Sequence, residues 1–128
     1  MIPSPPPLVL VVDDANDTRV IYAESLRFRG YRVDEASDGQ EALEKVAALA
    51  PDVVILDMKL PLIDGCEVTR RLKTAPATKA IPIIVLSGHL LQESRAAALA
   101  AGADIYLTKP CLPDDLARHI DELLDRRR

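Results

Sequence analysis

Five short apolar runs separated by segments of helical period constrain this chain more than any other feature. Leu8-Val9-Leu10-Val11-Val12, Val53-Val54-Ile55-Leu56 and Ile81 to Leu86 lack polar alternation, so they read as strands covered by helices on both faces. Strands are expected at 8–13, 31–36, 52–57, 81–87 and 103–108, and helices at 16–29, 38–49, 65–74, 90–101 and 112–126. Tyr31 to Ala36 does alternate, which suits an edge strand. In the last helix Leu112, Leu116, Ile120 and Leu123 form one stripe, opposite Asp114, Asp115, Asp121 and Glu122. Gly30, Gly65 and Gly102 fall where helices begin or end.

Repeated right-handed βα units of this kind close into three layers. The expected fold class is α/β, a doubly wound five-stranded parallel sheet of flavodoxin-like order 2-1-3-4-5, (βα)5. The 128 residues leave room for one domain, expected over 8–126, after a disordered proline-rich leader over 1–7. A net charge of −4 argues against a direct nucleic-acid surface. The only basic cluster, Arg126 to Arg128, reads as the cationic end of a helix. The amino terminus has no positive n-region, and its apolar stretch runs into Asp13-Asp14, so neither a signal peptide nor a membrane span is expected. The cytoplasm is the default location. Cys66 and Cys111 are too few for a disulfide framework and are expected as free thiols.

Four of the runs end in reactive groups: Asp13-Asp14, Asp57, Ser87 and Lys109-Pro110. In an open parallel sheet the carboxyl edge of the strands is where ligands bind, and strands one and three flank the switch point. Carboxylates gathered there repel one another, a conflict that a hard divalent cation such as Mg²⁺ (or Mn²⁺) removes. Asp57 is placed as a nucleophile able to form an aspartyl phosphate. Lys109 is a point-charge clamp for phosphoryl oxygens, and Ser87 offers a hydroxyl to one of them.

The motifs Val11-Val12-Asp13-Asp14, Asp57-Met58-Lys59-Leu60-Pro61 with Asp64-Gly65, Ile81-Pro82-Ile83-Ile84 leading to Ser87, and Gly102 to Pro110 resemble the receiver domain of two-component response regulators. The resemblance runs from Leu8 to about Leu124. It implies that Asp57 is a phosphoacceptor supplied by a sensor histidine kinase or a histidine phosphotransfer protein. It implies that Asp13, Asp14, Asp57 and the backbone carbonyl of Lys59 hold Mg²⁺, Asp13 through water. It implies further that Ser87 and Tyr106 are switch residues, that the Lys109–Pro110 bond is cis, and that a downstream protein reads the helix 4, strand 5, helix 5 face. The side chains of Lys59 and His89 are candidates for tuning hydrolysis. Where the family commonly has Phe after Lys-Pro, this chain has Cys111, which should loosen the start of the last helix.

Such a chain is a signalling domain rather than an enzyme, catalysing only its own phosphotransfer and dephosphorylation, with no output domain expected. One alternative is a phosphorylation-independent pseudo-receiver, although every acid and the lysine are retained. Another is a Mg²⁺-dependent aspartyl-phosphate phosphohydrolase resembling the haloacid dehalogenase group. Those enzymes carry Asp-x-Asp on one strand, and here Ala15 follows Asp13-Asp14.

Overall fold

The computed structural model describes residues 5–88 and 92–126. Strand and helix alternate without exception: β1 (Leu8–Val12), α1 (Asn16–Phe28), β2 (Arg32–Ala36), α2 (Gly39–Leu49), β3 (Val53–Asp57), α3 (Gly65–Thr74), β4 (Ile83–Ser87), α4 (Gln92–Ala101), β5 (Ile105–Thr108) and α5 (Pro113–Arg126). The strands are all parallel, in the order β2-β1-β3-β4-β5. The expected doubly wound sheet is therefore the observed one. Ile81, Pro82, Ala103 and Asp104, expected in strands, lie before them, as suits Pro82, which has no N–H for a ladder. The expected helix start at 90 lies outside the described residues.

Side-chain alternation along the strands makes two cores. Leu10, Val12, Val54, Leu56, Ile83 and Val85 face Ala42, Val46, Val68, Leu72 and Ala98 of α2, α3 and α4. Val9, Val11, Val53, Ile55, Ile84 and Leu86 face Tyr22, Leu26, Leu116, Ile120 and Leu123 of α1 and α5. The central strands are buried on both faces, as their unbroken apolar runs require. In the edge strand β2 only Ala36 is buried.

Leu112 does not belong to the apolar stripe: it is 65% exposed, because α5 starts one residue later. Its carbonyl instead accepts the Leu116 N–H at 3.0 Å, opening the helix. Gly30 (φ 98°) and Gly102 (φ 110°) end α1 and α4 in the left-handed region, where a side chain is strained. Of the expected leader, residues 1–4 lie outside the described residues. Pro6 and Pro7 both offer their carbonyls to Arg32, at 2.7 and 3.0 Å.

Candidate functional site

β1 and β3 run side by side, with Val12 opposite Leu56, so the residues after them emerge together. Asp13 is buried and Asp14 exposed, while Asp57 closes β3 half-buried. The Asp13 Oδ1 accepts the Ala15 N–H at 2.9 Å, and its own N–H donates to the Ala36 carbonyl at 3.1 Å. Asp57 Oδ1 accepts the Lys59 N–H at 3.1 Å. Behind it, Gly65 packs so closely that an added Cβ would lie 2.4 Å from the Asp57 carbonyl oxygen. Only glycine lets α3 begin against the backbone of this acid, and the Gly65 N–H fastens the turn to the Met58 carbonyl at 2.8 Å.

β5 brings the cation. The Lys109–Pro110 bond is cis, and the Lys109 N–H donates to the Ser87 carbonyl at 2.7 Å. The Lys109 Nζ then lies 2.9 Å from Asp57 Oδ2 and 3.3 Å from Asp13 Oδ2. Asp13, Asp14 and Asp57 place one oxygen each within 4.8 Å of one another. Burial pushes the Asp13 carboxyl up, and the charge of Asp57 adds to it; the Ala15 N–H and Lys109 counteract without prevailing. Burial works against the Lys109 ammonium, but its hydrogen bond to Asp57 and the charges of Asp57 and Asp13 leave it raised overall. One ammonium is shared among acids that outnumber it. Three convergent carboxylates are hard oxygen donors, the ligand type that Mg²⁺ or Mn²⁺ takes, so the residues present fit such an ion.

Ser87 ends β4 and is 1% exposed. Tyr106, 7% exposed, is turned into the core cluster that also contains Ala98 and Ala103. The Lys59 side chain is exposed and lines a cavity of about 390 Å³ with Cys66 and Ser94. His89 lies outside the described residues. Cys66 and Cys111 are both free and half-buried, and burial raises both thiols, with the charge of Asp64 adding to the first and that of Asp115 to the second.

Two residues of α1 that the sequence did not single out touch the backbone of this site. Arg19 donates from Nη1 to the Asp13 carbonyl at 2.9 Å, and Tyr22 donates from its hydroxyl to the Cys111 carbonyl at 2.7 Å. Both residues were legible only as members of a helix, because a backbone acceptor leaves no mark in sequence. At the start of α5, where the small Cys111 is expected to pack less firmly, its half-buried side chain lies against the α1/α5 core and its carbonyl accepts the Tyr22 hydroxyl.

The response regulator receiver domain model matches residues 9–121. The chain belongs to the response regulator receiver family. Response regulator MprA of Mycolicibacterium vanbaalenii is 42% identical to it over 121 residues, which cover 94% of this chain and 52% of that protein. The chain thus spans about half the length of the curated relatives it matches. The receiver domain of Francisella response regulator 1452 has a TM-score of 0.89 at 30% identity, over 95% of this chain and 99% of that one. The signal receiver domain of a signal transduction histidine kinase from Syntrophus aciditrophicus has a TM-score of 0.87 at 31% identity, over 93% and 90%. Receiver domains are signalling domains rather than conventional enzymes. Among the described residues no helix is long and apolar enough to cross a membrane.

Proposed function

We propose that this receiver domain is a phosphorylation-dependent switch, accepting a phosphoryl group on Asp57 from a histidine kinase or a histidine phosphotransfer protein. The observation that carries the reading is the convergence of Asp13, Asp14 and Asp57 within 4.8 Å around a Lys109 ammonium 2.9 Å from Asp57. In the transfer, an Asp57 carboxylate oxygen forms the new O–P bond as the P–N bond of a phosphohistidine breaks, and the imidazole keeps the electron pair and takes up a proton. Asp13, Asp14, Asp57 and the Lys59 carbonyl would hold Mg²⁺ or Mn²⁺, which supplies charge neutralisation to the phosphoryl oxygens. Lys109 clamps another phosphoryl oxygen, and positioning plus electrostatics is most of what such a transfer needs.

The added charge is then converted into packing. Ser87 is drawn to a phosphoryl oxygen, and the position of the Tyr106 ring follows it. The α4, β5, α5 face differs between the two states and is read by a downstream protein. Lys59 and His89, two residues after Asp57 and Ser87 in the sequence, tune the lifetime of the phosphorylated form. The folded unit is residues 8–126, and its location is the cytoplasm. The test is the intact mass of the chain after incubation with acetyl phosphate. A single phosphoryl adduct that requires Mg²⁺ and is absent in Asp57→Asn is the expected result; an adduct that persists in Asp57→Asn would rule out this acceptor.

A further inference from the structure

Helix α1 reaches the backbone of both loops that supply the ammonium and the buried acid. The Tyr22 ring is 6% exposed in the cluster with Leu26, Leu116 and Ala117, and its hydroxyl donates to the Cys111 carbonyl at 2.7 Å. One turn earlier the Arg19 guanidinium donates to the Asp13 carbonyl at 2.9 Å, and its Nε is held by Glu35 at 3.2 Å. Residues three apart are neighbours on one side of a helix. A single rigid element therefore grips the loop after β1 and the loop after β5, whose side chains meet where Lys109 Nζ lies 3.3 Å from Asp13 Oδ2.

Lys109 stands between two backbone anchors. Its own N–H is bound to the Ser87 carbonyl at 2.7 Å, and two residues on the Cys111 carbonyl is bound to Tyr22. Cys111 is small and packs on the same core cluster as Tyr22, so the tyrosine contributes the aromatic ring that the loop itself lacks. Burial pushes the Tyr22 phenol up, which keeps it a proton donor throughout the neutral range. Without that hydroxyl the part-buried Cys111 carbonyl would lose its partner, and the segment could move toward water to regain one.

We infer that Tyr22 is a positioning residue for Lys109. Through Tyr22 and Arg19, α1 sets the separation between the ammonium and the acids at which a phosphoryl group is gripped. The inference rests on the phosphoryl-acceptor reading, since Lys109 acts there on the transferring group. Displacements of about 1 Å at such a centre can cost about a hundredfold in rate, and loss of one hydrogen bond gives about tenfold.

The test uses the full chain with acetyl phosphate and Mg²⁺, comparing wild type, Tyr22→Phe and Tyr31→Phe. Tyr31 is a matched control, because it precedes β2 at the amino edge of the sheet and its hydroxyl meets Asp121 of α5 rather than the loops that carry Asp13 and Lys109. Tyr22→Phe is expected to form the Asp57 adduct about tenfold more slowly while Mg²⁺ affinity and the fold are retained, and Tyr31→Phe to match wild type. In a Cys66→Ser background, the reaction of Cys111 with a thiol reagent should accelerate in Tyr22→Phe. A folded Tyr22→Phe that phosphorylates at the wild-type rate, or whose Cys111 reacts no faster, overturns the inference. If wild type itself forms no adduct, the acceptor reading falls instead, and the Cys111 rate still decides whether Tyr22 anchors the loop.

Discussion

At the amino edge of the sheet, Asp52 and Asp104 each stand one residue before a strand and tie it to its neighbour. The Asp52 N–H donates to the Leu8 carbonyl at 2.8 Å, and its Oδ2 accepts the Leu8 N–H at 2.7 Å. Asp104 repeats the pattern with Ile83, at 2.9 and 2.7 Å, and adds Lys73 at 2.8 Å. At the carboxyl edge, Asp13, Asp14 and Asp57 each place an oxygen within 4.8 Å of the others, and Asp13 and Asp57 share one ammonium. The same residue type is scaffold at one edge, where it satisfies backbone donors that the strand ends would otherwise leave unpaired. At the other edge Asp13 is held against burial and the charge of Asp57, in the cluster for which phosphoryl transfer is proposed above.

The contrast can be broken most severely at Lys109. Lys109→Met should slow adduct formation from acetyl phosphate about a hundredfold or more, as loss of a pre-organised donor does, measured by intact mass against time. At the amino edge, Asp104→Ala removes the acceptor for the Ile83 N–H and the partner of Lys73. It should cost about 1–3 kcal/mol in urea unfolding while leaving adduct formation at 25 °C intact. An equal loss of phosphorylation there would erase the distinction between the two edges.

The smallest effect carries the most telling sign. A carboxyl whose folded pKa is raised adds stability below its unfolded value, and that contribution is lost as pH climbs through the folded value. For Asp13 the window opens at 3.8 and extends upward. Asp13→Asn, in chelator, should therefore raise the melting temperature at pH 7 by about 2–4 °C, and the gain should shrink as pH falls toward 4. A lowered melting temperature at pH 7 would show that Lys109 and the Ala15 N–H outweigh burial.

The sheet order and the meeting of Asp13, Asp14, Asp57 and Lys109 were legible because unbroken apolar runs mark buried parallel strands, and parallel strands send their carboxyl ends one way. The ends of elements were less so: Leu112 continues the apolar spacing of α5, yet the chain there has not entered the helix, and period alone does not report that. The roles of Arg19, Tyr22, Asp52 and Asp104 were hidden for another reason. Each acts on a backbone group, and backbone partners are chosen by the fold rather than written in residue type. Gly65 read as helix punctuation, while its closer constraint, contact with the Asp57 carbonyl, needed the packing to be seen.

If the carboxyl-edge acids are arranged for a cation, thermal unfolding with increasing Mg²⁺ will register its binding. A ligand bound only by the folded chain stabilises it by about 1.4 kcal/mol at ten times its dissociation constant. Mg²⁺ should raise the melting temperature of wild type and of Asp104→Ala alike, reversibly with chelator, and the rise should vanish in Asp14→Asn. A wild-type melting temperature indifferent to millimolar Mg²⁺, or a rise that survives Asp14→Asn, would contradict the account.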